Sequence, residues 1–161
     1  MAEVIFLNNL QLSQKETTLL TDLKSQEKIC IEKYTKYASA ALDPQLKELF
    51  TSIANVEREH LNSLNQIENG TLPQTNSGPK QTVKTTFSEY YGMGDTPDKQ
   101  ADSYLCSDVL ADEKHVSNLY NTCIFEFKET ELRNILNHIQ KEEQEHGKAI
   151  YDYMSKNNMY S

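Results

Sequence analysis

Apolar residues recur along most of this chain in alternating steps of three and four, the spacing of one helix face. One stripe runs Leu20, Leu23, Glu27, Cys30, Tyr34, Tyr37, Ala41, and a second Leu46, Leu49, Ile53, Glu57, His60, Leu64, Ile67. A third is Leu105, Val109, Glu113, Val116, Tyr120, Cys123, Phe127, and a fourth Leu132, Ile135, Ile139, Glu143, His146, Ile150, Tyr153. Their ends carry signals as well. Ser13 with Glu16 makes a capping box that starts the first helix. Asp43-Pro44 supplies an N-cap followed by proline at the first helical position. Gly70 after Asn69 stops the second helix. Thr96-Pro97-Asp98 starts the third, and a short break near Glu129-Thr130 separates it from the fourth.

Between the second and third stripes the composition changes. Four of the five glycines and three of the four prolines fall within residues 70–97, among Thr, Ser, Asn and Gln. That stretch reads as a long connection, which Tyr90 and Tyr91 are expected to pin to the helices. The pattern predicts an all-α four-helix bundle in one domain, residues 1–161. It divides into a helical hairpin over 13–69, a crossover loop over 70–96 and a helical hairpin over 97–157. Neighbouring antiparallel helices need a connection of only about 2–8 residues. A crossover of this length therefore runs the length of the bundle and leaves the second and third helices parallel.

The halves are also copies of one another. With an offset of 86 residues, Leu20–Ile67 aligns without a gap onto the second half, and nine of 48 positions are identical. Chance would give roughly three. The identities concentrate in polar residues, among them Glu27/Glu113, Tyr34/Tyr120, Glu57/Glu143, Glu59/Glu145 and His60/His146. A duplicated scaffold needs only its apolar positions to match, so this pseudo-two-fold repeat points to chemistry.

The shared pattern is Glu, 29 intervening residues, then Glu-x-x-His. Glu-x-x-His places both side chains on one helix face, one turn apart. All six residues, Glu27, Glu57, His60, Glu113, Glu143 and His146, stand on stripes where a leucine would be expected. Four carboxylates in one core are untenable unless neutralised. Two divalent cations carry the charge that does so, and a dinuclear metal site is the expectation. Tyr34 and Tyr120 lie seven residues past their Glu, still on the stripe, placed to bond a ligand carboxylate. Glu142 is placed to orient a ligand histidine. Off the stripes, Glu59 and Glu145 should face water, Lys28 and Lys114 should pair with surface acids, and His115 and His138 should be surface residues.

Net charge narrows the partners. The chain carries −8, with 24 acidic and 16 basic residues, which disfavours nucleic acid and anionic lipid. No long apolar run marks a signal peptide or a membrane span, so synthesis in the cytoplasm is expected. Cys30, Cys106 and Cys123 lie far apart with no Cys-x-x-Cys, which excludes a cysteine zinc site and reads as core thiols. The crossover and the outer helix faces offer surface for a homodimer.

The constellation resembles the ferritin-like superfamily of carboxylate-bridged dimetal proteins across residues ~13–157. The resemblance implies the same six residues as ligands, Glu57 and Glu143 as bridges, and two divalent ions, iron or manganese, as cofactors. A closer similarity is to the Coat F family of spore coat proteins. It is carried by Leu105–Tyr160, with its EKHVSNLYNTCIFE and LRNIL…YDYM phrasing, and by TDLKSQEKICIEKY in the first half. Many members of that family lack the ligands, and this chain keeps all six. The similarity implies a place in the spore coat with other coat proteins as partners. It leaves three expectations: a coat-associated dimetal protein, a rubrerythrin-, catalase- or ferroxidase-like enzyme acting on O2 or H2O2, and a structural coat protein with a vestigial site. Rubrerythrin-like peroxidases carry a further carboxylate one turn from the third-helix ligand, where this chain has Leu110 and Val116.

Overall fold

The computed structural model describes residues 10–73 and 82–160. Four helices account for most of them: α1 (Gln14–Ala40), α2 (Pro44–Glu68), α3 (Pro97–Glu126) and α4 (Thr130–Lys156). The part of the expected crossover between 74 and 81 lies outside the described residues, as do residues 1–9 and 161 of the expected domain. Among the described residues no helix is long and apolar enough to cross a membrane.

The helix ends follow the local chemistry. Ser13 and Glu16 form both bonds of the capping box. The Asp43 side chain accepts from Gln45 N at 2.8 Å, with Pro44 at the first helical position. α2 closes on Gly70, whose φ of 82° is open to glycine. Gly70 N then donates to Ile67 O and Thr71 N to Gln66 O, the paired bonds of a Schellman stop. Glu129 occupies the N-cap of α4 but makes no side-chain cap bond. It is one methylene longer than Asp43, its counterpart in the repeat.

α1 pairs with α2 and α3 with α4, while α1 also packs on α3 and α2 on α4. Contacts at the two ends set the directions. Lys15 pairs with Glu126 and Lys24 with Glu68, so the start of α1 meets the ends of α2 and α3. At the opposite end Asp102, in the first turns of α3, accepts from Leu42 N and Asp43 N, both at 2.9 Å. α2 and α3 are therefore parallel, as the connection lengths predict. The crossover returns along α2: Lys84 N donates to Ser52 Oγ, and Ser88 N to Gln45 Oε1 about two turns nearer the helix start.

Each stripe forms the core along nearly its whole length. Two positions differ. Tyr37 is only partly buried, and Leu105 yields the innermost place to Cys106, which the repeat aligns with Leu20. All three cysteines are free and buried. Only one of the two crossover tyrosines inserts its side chain. Tyr91 is buried and donates to Asp102 Oδ2 at 2.6 Å, whereas Tyr90 stays exposed and is held by its backbone N–H on Asn157 Oδ1.

The repeat reaches further than its identities. Glu16 and Asp102 are equivalent by the 86-residue offset, as are Leu42 and Lys128. Asp102 accepts from Leu42 N, and Glu16 Oε2 accepts from Lys128 N at 3.3 Å. A buried acid on the first helix of each half thus caps the interhelix turn of the other half.

Asp102 is fully buried and serves three donors. Asp102→Ala leaves two backbone N–H groups and a phenol without an acceptor, and should destabilise the fold by about 2–4 kcal/mol. Urea denaturation followed by circular dichroism measures this, and a loss well under 1 kcal/mol would mean that water replaces the carboxylate.

Candidate metal centre

The six stripe residues with ligand chemistry converge at mid-bundle. α1 gives Glu27, α2 gives Glu57 and His60, α3 gives Glu113, and α4 gives Glu143 and His146. All are buried, the most open being Glu113 at 4% exposure. Their atoms form two groups of four, in each of which one ligand atom per residue lies within 4.8 Å of the others. One group is Glu27, Glu57, His60 and Glu143, and the other is Glu113, Glu57, His146 and Glu143. Glu57 and Glu143 belong to both.

Both imidazoles turn Nδ1 inward. His60 Nδ1 is 3.0 Å from Glu143 Oε1, 3.5 Å from Glu57 Oε2 and 3.7 Å from Glu27 Oε1. His146 Nδ1 is 2.9 Å from Glu57 Oε1 and 3.5 Å from both Glu113 Oε1 and Glu143 Oε2. The rings lie 6.0 Å apart and 24° from parallel. At 2.9 Å His146 Nδ1 still lacks the alignment of a hydrogen bond, so closeness here is not pairing. Glu27 Oε2, Glu57 Oε1 and Oε2, Glu113 Oε2 and Glu143 Oε2 are likewise buried without a hydrogen-bond partner. Buried polar atoms are normally paired. Five carboxylate oxygens and an imidazole nitrogen facing one another unpaired form a donor set with room for a cation, and either group can hold a metal ion.

The expected outer contacts are present. Tyr34 on α1 donates to Glu113 Oε1, and Tyr120 on α3 donates to Glu27 Oε1, each at 2.5 Å. Each tyrosine therefore holds the acid of the opposite half and leaves that acid's second oxygen facing inward. Glu142 Oε1 lies 3.4 Å from His60 Nε2 and 2.9 Å from His138 Nε2. His138, expected on the surface, is half-buried and ends a chain His60–Glu142–His138. Its spacing of four from Glu142 on one helix face was the available signal. His115, Glu59 and Glu145 are exposed as expected. Lys28 and Lys114 are exposed but make no ion pair among the described residues. Lys33 takes that role instead, at 3.1 Å from Asp108 and 2.7 Å from Asp112.

Charge sharing follows from burial. Burial pushes the Glu27 carboxyl well above the ordinary carboxylate range, and the charges of Glu57 and Glu143 add to the rise. Burial and the neighbouring Glu143 raise Glu113 to about 8. Burial also opposes ionisation of Glu57, but the Glu27 carboxyl and both imidazoles outweigh it and hold Glu57 low. Glu143 is held low against burial and the Glu57 charge by Glu113, His146 and His60. Burial disfavours imidazolium, yet the surrounding carboxylates, first Glu142 for His60 and Glu113 for His146, keep both histidines protonated well above their usual range. The surroundings thus favour the charged form at Glu57 and Glu143, the protonated form at Glu27 and Glu113, and the cation at both imidazoles.

The family model of the Coat F domain matches residues 101–161, which contain Glu113, Glu143 and His146. No curated protein and no solved structure matches the chain.

The proton distribution fixes a pH response. Glu27, Glu113, His60 and His146 keep protons that the unfolded chain releases around the ordinary values of 4.5 and 6.5. The metal-free folded state then binds more protons than the unfolded state, so stability falls as pH rises from about 5 to 9. Glu57 and Glu143 act oppositely and only at lower pH, where protonation removes their contribution. Thermal unfolding of metal-free protein should show a midpoint lower at pH 9 than at pH 6 by roughly 5 °C or more. An unchanged or higher midpoint at pH 9 contradicts this proton arrangement.

Proposed function

We propose that the chain is a spore coat-associated, ferritin-like protein whose core holds two divalent ions, iron or manganese. The observation that carries this reading is the sharing of Glu57 and Glu143 between two four-residue groups. Two ions bridged by Glu57 and Glu143, each with one further carboxylate (Glu27 or Glu113) and one imidazole Nδ1, would use every inward-facing donor. Four carboxylates match the charge of two divalent ions with both imidazoles neutral, so loading would give a neutral core. Carboxylate and imidazole donors suit iron and manganese. Such a pair would supply redox chemistry toward O2 or H2O2 when bound.

The residues of this chain would prepare that site in the ways already visible. Tyr34 and Tyr120 orient the carboxylates of Glu113 and Glu27. Glu142 takes the outer edge of His60. The apolar residues flanking each ligand exclude water and keep the carboxylates on rigid helices. The coat assignment is supported by the match of residues 101–161 to the Coat F domain.

Elemental analysis of protein expressed with iron and manganese in the medium should give two metals per chain, and Glu57→Ala should lose both because it removes a donor from each group. Loading metal-free protein at pH 7 should release protons, from the raised carboxyls of Glu27 and Glu113 and from the imidazoles. Folded wild-type protein that binds well under two metals per chain overturns the reading. In a sporulating host a fluorescent fusion should assemble around the developing spore, and a diffuse mother-cell signal would remove the coat assignment.

A further inference from the structure

The six inward-facing residues are closed off unequally on their outer sides. Where α1 meets α3, the buried rings of Tyr34 and Tyr120 hold Glu113 and Glu27. The same seam is tied by Lys33 to Asp108 and Asp112, and by Tyr37 to Asp108. α2 and α4 pack less closely than α1 and α3. Against these two helices, beneath residues 82–85 of the crossover, lies a cavity of about 430 Å³. Its wall includes His146 itself, and Val56 and Glu142, the residues that precede Glu57 and Glu143. The cavity therefore comes within one side chain of the core.

The two imidazoles are held differently. His60 has a carboxylate at each ring nitrogen, Glu143 at 3.0 Å from Nδ1 and Glu142 at 3.4 Å from Nε2. His146 has no hydrogen bond at either nitrogen. Val56 stands where the other half has Glu142, and it offers no acceptor. At 1% exposure the His146 ring shuts the inner end of the cavity, but turning it about its side-chain bonds breaks no hydrogen bond. The roof is lightly tied as well. Lys84 N donates to Ser52 Oγ at 3.3 Å, and Lys84 Nζ lies 3.3 Å from Glu48. Of the charged groups on the wall, Asp152 engages Lys148, and Glu142 faces His60 and His138. Glu145 and Lys141 make no ion pair among the described residues and set the local field at the mouth.

We propose that this cavity is the path by which divalent ions enter the core, beneath Val83 and past the His146 ring, while the His60 side stays closed. The path deepens the two-ion reading and rests on it.

Uptake of Co(II) by metal-free full-length protein, followed by stopped-flow absorbance and by final stoichiometry, tests the path. The three native cysteines are buried, so in Val83→Cys a bulky maleimide attaches at the crossover after the chain has folded. That label should slow uptake at least several-fold relative to unlabelled Val83→Cys and leave the stoichiometry unchanged. The same label on Glu32→Cys, exposed on the outer face of α1, should leave the rate unchanged. Glu145→Lys should slow uptake several-fold at low salt, with the difference shrinking at high salt. Ser52→Ala frees the roof and should speed uptake. The path is overturned if two ions bind at wild-type rate in both the labelled Val83→Cys protein and Glu145→Lys, or if the label on residue 32 slows uptake as much as the label on residue 83. Folded wild-type protein that takes up no Co(II) removes the two-ion reading and the path with it.

Discussion

Everything in this fold is arranged around six ionisable side chains that have been taken out of water together. An isolated carboxylate in such a place would be neutralised by a proton or would unfold its surroundings. Four of them beside two imidazoles have two neutral solutions. One uses protons, with Glu27 and Glu113 as acids and both histidines as cations. The other uses two divalent ions and no protons on any of the six. Because both are neutral, the helices need not choose between them in order to fold.

The same site explains the topology. Tyr34 stands seven residues after Glu27, about 10 Å along the helix. If α1 and α3 ran parallel, equivalent residues would sit at one height and Tyr34 would lie that far from Glu113. Running antiparallel about a two-fold across the bundle, each tyrosine reaches the height of the other half's acid, and the reciprocal bonds Tyr34–Glu113 and Tyr120–Glu27 form. The reciprocal caps of Glu16 on Lys128 and Asp102 on Leu42 obey the same operation at the two ends. A short link between α2 and α3 would forbid this arrangement. The long crossover is what permits it, and Tyr91 on Asp102 ties the returning strand to the cap at its destination.

Much of this was legible because the relevant signals are periodic or duplicated. The stripes gave the four helices, the caps gave their ends, and an acid on a stripe in both copies marked each inward-facing Glu. What escaped was of another kind. Cys106 rather than Leu105 takes the inner position because α3 has a stripe of low contrast, with polar and small residues on both faces. His138 joins the site through Glu142, a contact between side chains that has no counterpart in the other copy. The buried pair Glu16 and Asp102 lies outside the ungapped identities, and neither acid has a metal-ligand spacing to announce it. Lys28 and Lys114 are identical in both copies, yet they make no ion pair among the described residues, and nothing in the structure explains their identity.

The departures from symmetry are therefore as informative as the repeat. Where the buried Glu, His and Tyr of the two copies agree, the residues meet at the shared axis and the charge balance constrains both. Where they differ, the constraint acts on one side only. Glu142 and His138 build a polar path outward from His60, while their counterparts Val56 and Ser52 leave His146 without an acceptor and give the crossover a backbone anchor instead. Tyr153 donates to Asp43 at one end of the bundle, and the matching residue at the other end is Ile67, which has no donor for Glu129. Keeping the centre alike and differentiating its two approaches gives a core whose two four-residue groups match and whose two faces toward solvent do not.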